Sequence, residues 1–222
     1  MSYLVGENLI GGYGAGDILK GCTISAEKGE ISVVVGPNGA GKSTAMKALL
    51  GMLRELKGQV LLEGEDITRL SPQQRVSRGM AFVPQTQNVF VSLSVEENLE
   101  MGAYLRDDDF SGTMEQVFEL FPVLKEKRQQ PAGGRALMTQ PSVLMLDEPT
   151  AGVSPIVMDE LFERILEVKK TGIAILMVEQ NARQALGIAD RGFVLVTGEN
   201  RYTDSGQALL DNDDVRRSFL GG

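Results

Sequence analysis

The 222-residue chain is predicted to fold as an α/β domain built on a largely parallel sheet. From residue 31 onward, short β-branched runs alternate with stretches of helical periodicity, which indicates strand-helix-strand units. Hydrophobic residues make up 42% of the chain and charged residues 23%, so there is enough apolar material for a sizeable core. The length predicts a single domain over residues 1–222, with a helical lobe at about 90–140.

Turn and strand signals predict the elements before this lobe. The run 31–35, Ile-Ser-Val-Val-Val, is typical of a strand buried on both faces, and a glycine-rich turn follows it directly. Glu63-Gly64 is predicted to form the turn of a hairpin. Ser71 is predicted to cap a helix whose first residue is Pro72. In chain order we predict strands at 3–5, 18–19, 22–25 and 31–35, a helix at 43–53, a hairpin at 60–67, a short helix from 71 and a strand at 80–83.

Caps and periodicity predict the lobe and the C-terminal half. Ser94 and Glu97 form a capping box that opens a helix reaching about Leu105. A later helix has four apolar residues at helical spacing that are predicted to face the core, namely Val157, Leu161, Ile165 and Val168. In chain order we predict helices at 94–105 and 114–121, a strand at 143–146, a helix at 156–170, a strand at 173–178, a helix at 181–189 and a strand at 193–196.

Composition excludes several classes of protein. The chain has no histidine and one cysteine, Cys22, which excludes His-dependent nucleophiles, His-ligated metals and internal disulfides. We expect Cys22 to be a small core residue. The net charge of −8, without a basic block, argues against nucleic-acid binding. The N-terminus lacks a basic region and the apolar run 173–178 is too short to span a bilayer, so a cytosolic chain is expected.

A glycine-rich segment after the strand at 31–35 carries the clearest chemical signal. It matches the phosphate-loop pattern GxxxxGK[ST] with the residues Gly36, Pro37, Asn38, Gly39, Ala40, Gly41, Lys42 and Ser43. It lies between a buried strand and a helix, where backbone N–H groups and the helix N-terminus can surround an anionic phosphate. We expect Lys42 to bridge the β- and γ-phosphates and Ser43 to offer its hydroxyl to Mg²⁺.

Polar residues also end two other predicted strands. Asp147 and Glu148 follow the run 143–146, and Gln85 follows the strand at 80–83. Ligands of open α/β sheets bind at the carboxyl ends of the strands, so these side chains are expected beside the phosphate loop. Asp147 then suits the surroundings of Mg²⁺, Gln85 could ligate Mg²⁺ or hold the lytic water, and Glu148 is placed to orient or deprotonate that water.

These pieces, in this order, resemble an ABC-type ATPase from about Leu4 to Gly222. The matching segments are GPNGAGKST at 36–44 (Walker A), FVPQ at 82–85 (Q-loop), VLMLDEPT at 143–150 (Walker B with the catalytic glutamate), AGVSP at 151–155 (D-loop) and MVEQNA at 177–182 (switch loop). The resemblance implies a P-loop NTPase core with a mainly parallel sheet, an N-terminal antiparallel β subdomain and a helical lobe.

The same resemblance implies roles for individual residues. The segment from Gly36 to Thr44 would bind the phosphates of ATP, and Mg²⁺ would be ligated by Ser43, Gln85 and Asp147. Glu148, Gln85 and Gln180 would act in hydrolysis. Tyr13 would stack on adenine. Its glycine-rich loop alone supports two interpretations equally, an adenine-stacking ring and a partly buried loop tyrosine.

Gln180 lies at a position where most members of the family have histidine. The VEQNA segment at 178–182 and the FLGG ending at 219–222 resemble the second of the two ATPase types of branched-chain amino-acid importers, and urea and amide importers use similar subunits. A glutamine amide can donate to the γ-phosphate as neutral histidine does, but it cannot take up a proton.

The resemblance also implies partners. ATP would lie between two ATPase subunits, in a dimer with a second copy or with a related chain, and the dimer would act on integral-membrane permease subunits and indirectly on a solute-binding protein. The chain would then be peripheral, at the cytoplasmic face of the plasma (inner) membrane, without nucleic acid. The alternatives are a nucleotide-binding module without turnover and, more weakly, a non-transport ATPase that acts on DNA.

One part of the family pattern is missing. The signature LSGGQ and a helix of about a dozen residues should precede Walker B, whereas here the segment from Pro131 to Leu137 runs almost directly into it. Arg135-Ala136-Leu137 matches the far end of that helix. We expect the natural polypeptide to contain the missing segment between 131 and 136, with a Cα–Cα separation there far above the ~3.8 Å of a trans peptide.

Overall fold

A computed structural model describes residues 2–14, 16–85, 94–103, 108–126 and 140–219. The described strands are β1 (Leu4–Gly11), β2 (Leu19–Ala26), β3 (Ile31–Val35), β4 (Leu56–Leu62), β5 (Glu65–Asp66), β6 (Met80–Val83), β7 (Val143–Asp147), β8 (Ala174–Val178), β9 (Arg191–Val196) and β10 (Glu199–Asp204). The described helices are α1 (Lys42–Leu49), α2 (Pro72–Val76), α3 (Val95–Gly102), α4 (Ser111–Leu120), α5 (Pro122–Glu126), α6 (Pro155–Lys170), α7 (Ala182–Ile188), α8 (Gly206–Asp211) and α9 (Asp213–Phe219).

The larger sheet confirms the predicted α/β core. Within the described residues it has the strand order β10-β9-β3-β8-β7-β6, and its strands are parallel except where β9 and β10 pair. In its register Val178 at the end of β8 faces both Val34 of β3 and Asp147 of β7. The carboxyl ends of these three strands therefore lie side by side, and the segments that follow them meet at one edge.

A second, antiparallel sheet contains the N-terminal strands, with the order β2-β1-β4-β5 among the described residues. The predicted hairpin is present: β4 pairs with β5 around Glu63 and Gly64, whose φ angles are 53° and 82°. Two consecutive left-handed residues are typical of a type I′ turn, which matches the twist of a hairpin. This sheet forms the N-terminal antiparallel β subdomain that the family resemblance implies.

Alternating side chains of the parallel strands pack on the two faces of the larger sheet. One face packs Val34 and Met145 with α1 residues such as Met46, and Cys22 lies in this cluster, fully buried. The other face packs Val33 with Ile165 of α6. In α6, Ile165 and Val168 are buried as predicted, but Val157 is 47% exposed, so its assignment to the core face was wrong.

Some element boundaries differ from the predictions. The helix predicted at 43–53 is α1 and ends at Leu49, because Gly51 adopts φ 74° and Met52 N–H donates to Lys47 O, closing the helix in a Schellman motif. The helix predicted at 114–121 begins earlier, at Ser111. The elements β10, α8 and α9 were not predicted at all.

The helical lobe is described in part. Its helix α3 begins with the predicted capping box of Ser94 and Glu97, and a small apolar cluster joins α3 to α4 through residues such as Leu99 and Val117. The continuation to Leu105 and the proposed break between Pro131 and Ala136 lie outside the described residues. No helix in the described part of the chain is long and apolar enough to cross a membrane.

Candidate functional site

The phosphate-loop segment lies between β3 and α1, as its sequence requires. After Val35 the chain turns through Gly36, and α1 begins at Lys42. Gly36 has φ 150°, and a Cβ built there would lie 2.2 Å from the carbonyl oxygen of Leu195. Only glycine therefore fits at the start of this loop. The N-terminus of α1 faces the loop, where its unpaired N–H groups favour an anion.

The side chain of Lys42 folds back over this loop. Its Nζ donates to the carbonyl oxygens of Gly36, over 2.9 Å, and of Pro37, over 3.2 Å. The residue is buried, and burial lowers the pKa of its ammonium group, while the nearby carboxylates of Glu148 and Asp147 raise it. The ammonium is thus held at the opening of the loop by its own backbone, beside the acids that end β7.

Ser43 and Asp147 meet across this opening. The Ser43 hydroxyl donates to Oδ1 of Asp147 over 3.0 Å. Burial raises the pKa of the Asp147 carboxyl, and the hydrogen bond from Ser43 opposes that rise. Among the described residues, no three His, Cys, Asp or Glu side chains cluster as a metal site. A hydroxyl and one carboxylate nevertheless fit Mg²⁺, which prefers oxygen ligands and keeps several waters.

Glu148 is held by two amides from different segments. Its Oε2 accepts from Gln85 Nε2 over 2.8 Å and from Gln180 Nε2 over 2.9 Å. Among the described residues, the hydrogen bonds to this carboxylate all end on Oε2. Glu148 is 8% exposed and has φ 51°, a left-handed conformation that is uncommon outside glycine. Strained backbone of this kind is frequent at functional sites.

The structure thus brings together most of the residues that the sequence singled out. Lys42, Ser43, Gln85, Asp147, Glu148 and Gln180 are linked by hydrogen bonds or by charge at the carboxyl edge of the larger sheet. Tyr13 is not part of these hydrogen bonds. It is 55% exposed, and Lys47 Nζ lies 5.5 Å from the centroid of its ring. An exposed aromatic face near α1 is compatible with stacking on a base.

One buried acid of the site was missed by the sequence reasoning. Glu179 is 1% exposed, and its carboxylate accepts hydrogen bonds from Thr150 N–H, over 3.0 Å, from the Thr150 hydroxyl, over 2.8 Å, and from Gln180 N–H, over 3.1 Å. The available signal was a charged residue directly after the apolar run at 173–178. A carboxylate at the end of a buried strand requires donors, and these come from the neighbouring loop.

The comparison with protein families decides the identity. The sequence profile of the family described as ABC transporter matches residues 19–151, more than half of the chain. The chain belongs to the ABC transporter family. The matched range contains both the phosphate loop and the two acids, Asp147 at the end of β7 and Glu148 after it. This ABC protein is therefore an ATP-binding subunit, and it is an ATPase like the related subunits of the family.

Relatives with known names are similar over almost their whole length. The chain is 42% identical to the high-affinity branched-chain amino acid transport ATP-binding protein BraG of Pseudomonas aeruginosa, with 95% of this chain and 96% of BraG covered. It is 38% identical to the probable branched-chain amino acid transport ATP-binding protein LivF of Archaeoglobus fulgidus, with 95% of each chain covered. The lipopolysaccharide export ATP-binding protein LptB of Haemophilus influenzae is more distant, at 29% identity.

Solved structures agree with the family and with the fold. The ADP conformation of MJ1267, an ATP-binding cassette of an ABC transporter, superposes with a TM-score of 0.87 at 27% identity, and all of both chains is covered. A nucleotide-free ATP-binding cassette gives a TM-score of 0.84 at 28% identity. The larger, mostly parallel sheet, the antiparallel sheet and the helical lobe are thus those of an ABC ATPase.

The aligned lengths bear on the missing signature segment. The alignment with LptB extends over 236 positions and includes all of this chain, which has 222 residues. LptB therefore has residues within the aligned region that have no counterpart here. The position of the missing segment, between 131 and 136, stays a prediction.

Proposed function

We propose that this ABC ATPase energises the import of branched-chain amino acids, with Glu148 activating the water that attacks ATP. The observation that supports the chemistry is the placement of Glu148 between the amides of Gln85 and Gln180, beside the phosphate loop. The similarity to BraG and LivF supports the solute class.

In this proposal the phosphate loop binds the triphosphate. The backbone N–H groups of residues 39–44 and the N-terminus of α1 surround the β- and γ-phosphates, and Lys42 adds a positive charge at the opening. Because Lys42 is already held by the carbonyl oxygens of Gly36 and Pro37, little side-chain freedom is lost when ATP binds. The exposed ring of Tyr13 stacks on the adenine.

Three oxygen-bearing side chains are suited to Mg²⁺: Ser43, Asp147 and Gln85. The bonded Ser43–Asp147 pair is a hydroxyl and a carboxylate of the kind that magnesium sites use, and Gln85 adds an amide oxygen. A bound Mg²⁺ would neutralise charge that develops on the phosphate oxygens. The amide nitrogen of Gln85 remains on Glu148, so one side chain connects the metal ligands to the base.

Glu148 would then act as the base. Oε1, the oxygen that does not receive the two amides, accepts the proton of a water whose oxygen attacks the γ-phosphorus. The bond between that phosphorus and the bridging oxygen of ADP breaks, and inorganic phosphate and ADP leave. Gln180 donates to the γ-phosphate as a neutral histidine would, while its side-chain amide also donates to Glu148 and its backbone N–H donates to Glu179.

A second ATPase subunit is proposed to cover the surface after Walker B. Ile156 is 73% exposed and Val157 is 47% exposed at the start of α6, directly after the D-loop segment 151–155. Contact with a second subunit would cover these two apolar side chains. We further propose that hydrolysis opens this dimer and that the motion passes to permease subunits, with the chain bound at the cytoplasmic face of the membrane.

Co-purification followed by reconstitution tests this function. The tagged chain is isolated from its native membranes, the permease and solute-binding proteins that accompany it are identified, and phosphate release is measured with leucine, urea or no solute present. We expect leucine to stimulate phosphate release and urea to leave it at the basal rate. Stimulation by urea alone would assign the chain to the urea and amide importers, and stimulation by neither solute would contradict the proposed solute class.

A further inference from the structure

Glu179 links the two loops that carry the proposed hydrolytic residues. It follows β8 directly, and its carboxylate accepts from both the N–H and the hydroxyl of Thr150, two residues after Glu148. The same carboxylate accepts from the N–H of Gln180. This buried side chain of the switch loop thus bonds to the end of the Walker B segment and to the backbone of the next residue in its own loop.

Two more bonds join the same segments on the side of the catalytic residues. Glu148 N–H donates to Val178 O over 2.9 Å, and Gln180 Nε2 donates to Glu148 Oε2 over 2.9 Å. Residues 148–150 and 178–180 are therefore joined through both the backbone N–H and the carboxylate of Glu148. Because Glu148 has φ 51°, an unfavourable angle for this residue, its backbone keeps that conformation only while the surrounding bonds hold it.

We propose that Glu179 is a positioning residue for ATP hydrolysis, acting by fixing the Gln180 amide on Glu148. The proposal rests on the function proposed above, because it assigns Glu179 a role in the same site. Glu179 is a buried residue of the switch loop itself, and it is not proposed to touch the reacting atoms. Its part is to hold the backbone from which the Gln180 side chain extends.

A carboxylate is needed here because the groups that face it are donors. Thr150 N–H and Gln180 N–H can only donate, and they end on different oxygens of Glu179, Oε1 and Oε2. A glutamine in this position has one acceptor oxygen, so its NH₂ group would face one of these N–H donors. Burial raises the pKa of Glu179, and the hydrogen bonds from Thr150 and from the backbone of Gln180 and Asn181 oppose that rise.

Burying an acid in this way is unfavourable unless its hydrogen bonds are complete, and an apolar residue would often be at least as stable. A purely structural role is therefore a weak reason for a glutamate at this position. A role in geometry explains it better, because three directed bonds constrain the backbone of two loops at once.

A double-mutant cycle tests the proposal. Glu179→Gln, Gln180→Ala and the double variant are compared by kcat and KM in the purified transporter, with Glu199→Gln, on the exposed β10, as the matched control. We expect Glu179→Gln to lower kcat about 10- to 100-fold and to raise the KM for ATP by a much smaller factor. The double variant should be no slower than Gln180→Ala, since both changes act through one amide. Fully additive losses, or an unchanged kcat in Glu179→Gln, would overturn the proposal.

A binding measurement keeps the test independent of turnover. If the parent protein hydrolyses no ATP, the proposed function fails, but calorimetry still compares affinity for ATP and for ADP. We expect Glu179→Gln and Gln180→Ala to lose preference for ATP to the same extent, because Gln180 then reaches the γ-phosphate poorly. If Gln180→Ala lost its preference for ATP over ADP while Glu179→Gln kept that preference, the proposal would be overturned. Thr150→Val removes only the hydroxyl donor to Glu179 and should lose less of the preference for ATP. This variant replaces Glu179→Gln in the comparison if Glu179→Gln does not fold.

Discussion

The hydroxyl of Ser43 donates to Oδ1 of Asp147 over 3.0 Å, although the two residues are 104 positions apart in the chain. Ser43 lies in the first turn of α1, and Asp147 is the last residue of β7. The bond crosses the opening of the phosphate loop, so it fixes the distance between the nucleotide-binding helix and the strand that carries the acids. That distance decides whether a phosphate and its metal ion can be held by both.

The first prediction concerns Lys42 and nucleotide affinity. Lys42→Ala removes a charge-assisted contact to the phosphates, and we expect ATP binding to weaken about tenfold to a hundredfold, equivalent to roughly 1.5–3 kcal/mol. Isothermal calorimetry measures the dissociation constant. Lys57→Ala, at an exposed position of β4, is the control and should bind ATP like the parent. An unchanged ATP affinity in Lys42→Ala would contradict the role of the loop.

The sequence was sufficient for the parts of the site that local patterns encode. The run 31–35 with its glycine-rich turn predicted β3, the phosphate loop and α1, and the run 143–146 predicted β7 with both acids after it. Parallel strands align their carboxyl ends, which suggested a position for Gln85 beside them, but its role came from the family resemblance.

Other features depended on distant contacts and could not be predicted. The Glu179–Thr150 hydrogen bonds join residues 29 positions apart, and nothing in either segment alone indicates the partner. Val157 fits the apolar period of α6, but it lies in the first turn of that helix, where its side chain is exposed. The strand β10 has few apolar residues, because it lies at the edge of the sheet and is largely exposed.

The second prediction concerns the neutral amide at the switch position. The chain has no histidine, so Gln180→His introduces a single group with an ordinary pKa of about 6.5. Protonation places a positive charge beside Glu148 and makes that carboxylate a weaker base, so kcat of the variant should fall as pH decreases through that range. The parent should show no such additional fall. The kcat–pH profile is compared with that of Gln207→His, in α8, and parallel profiles for all three proteins would refute the assignment.

A third prediction concerns stability and the far end of α1. Arg75 is fully buried, and its guanidinium donates to Ala48 O over 3.2 Å, to Leu49 O over 2.6 Å, to Thr68 O over 2.7 Å and to Leu70 O over 3.1 Å. Burial lowers its pKa to about 10, so it stays charged at neutral pH. Arg75→Met leaves the C-terminal carbonyls of α1 without this donor.

We expect Arg75→Met to lower the free energy of unfolding by about 3 kcal/mol, and the midpoint of thermal unfolding by roughly 6–12 °C. Calorimetry or circular dichroism measures it. Arg78→Met is the control, since Arg78 is partly exposed and forms a surface ion pair with Glu65, worth about 1 kcal/mol or less. Equal midpoints for the two variants would show that the Arg75 bonds contribute little.

The fourth prediction concerns the signature segment. We expect the polypeptide made by the natural gene to contain about a dozen further residues between Pro131 and Ala136, because the rest of the hydrolytic machinery is in place. Peptide mapping by mass spectrometry across residues 127–142 should find a segment that this sequence lacks, and the intact mass should exceed 24.0 kDa. Peptides that read continuously from 131 to 136 would show that the segment is absent from the protein.

The most direct test of the account is steady-state phosphate release by the complete transporter with Glu148→Gln beside the parent. One oxygen of Glu148 accepts hydrogen bonds from the amides of Gln85 and Gln180, and the other is placed to accept a proton. The variant should therefore keep the parent's affinity for ATP while its kcat falls about a hundredfold or more. Glu160→Gln, on the exposed side of α6, should behave like the parent. Equal phosphate release from Glu148→Gln and the parent, or a parent that releases no phosphate at all, would contradict the account.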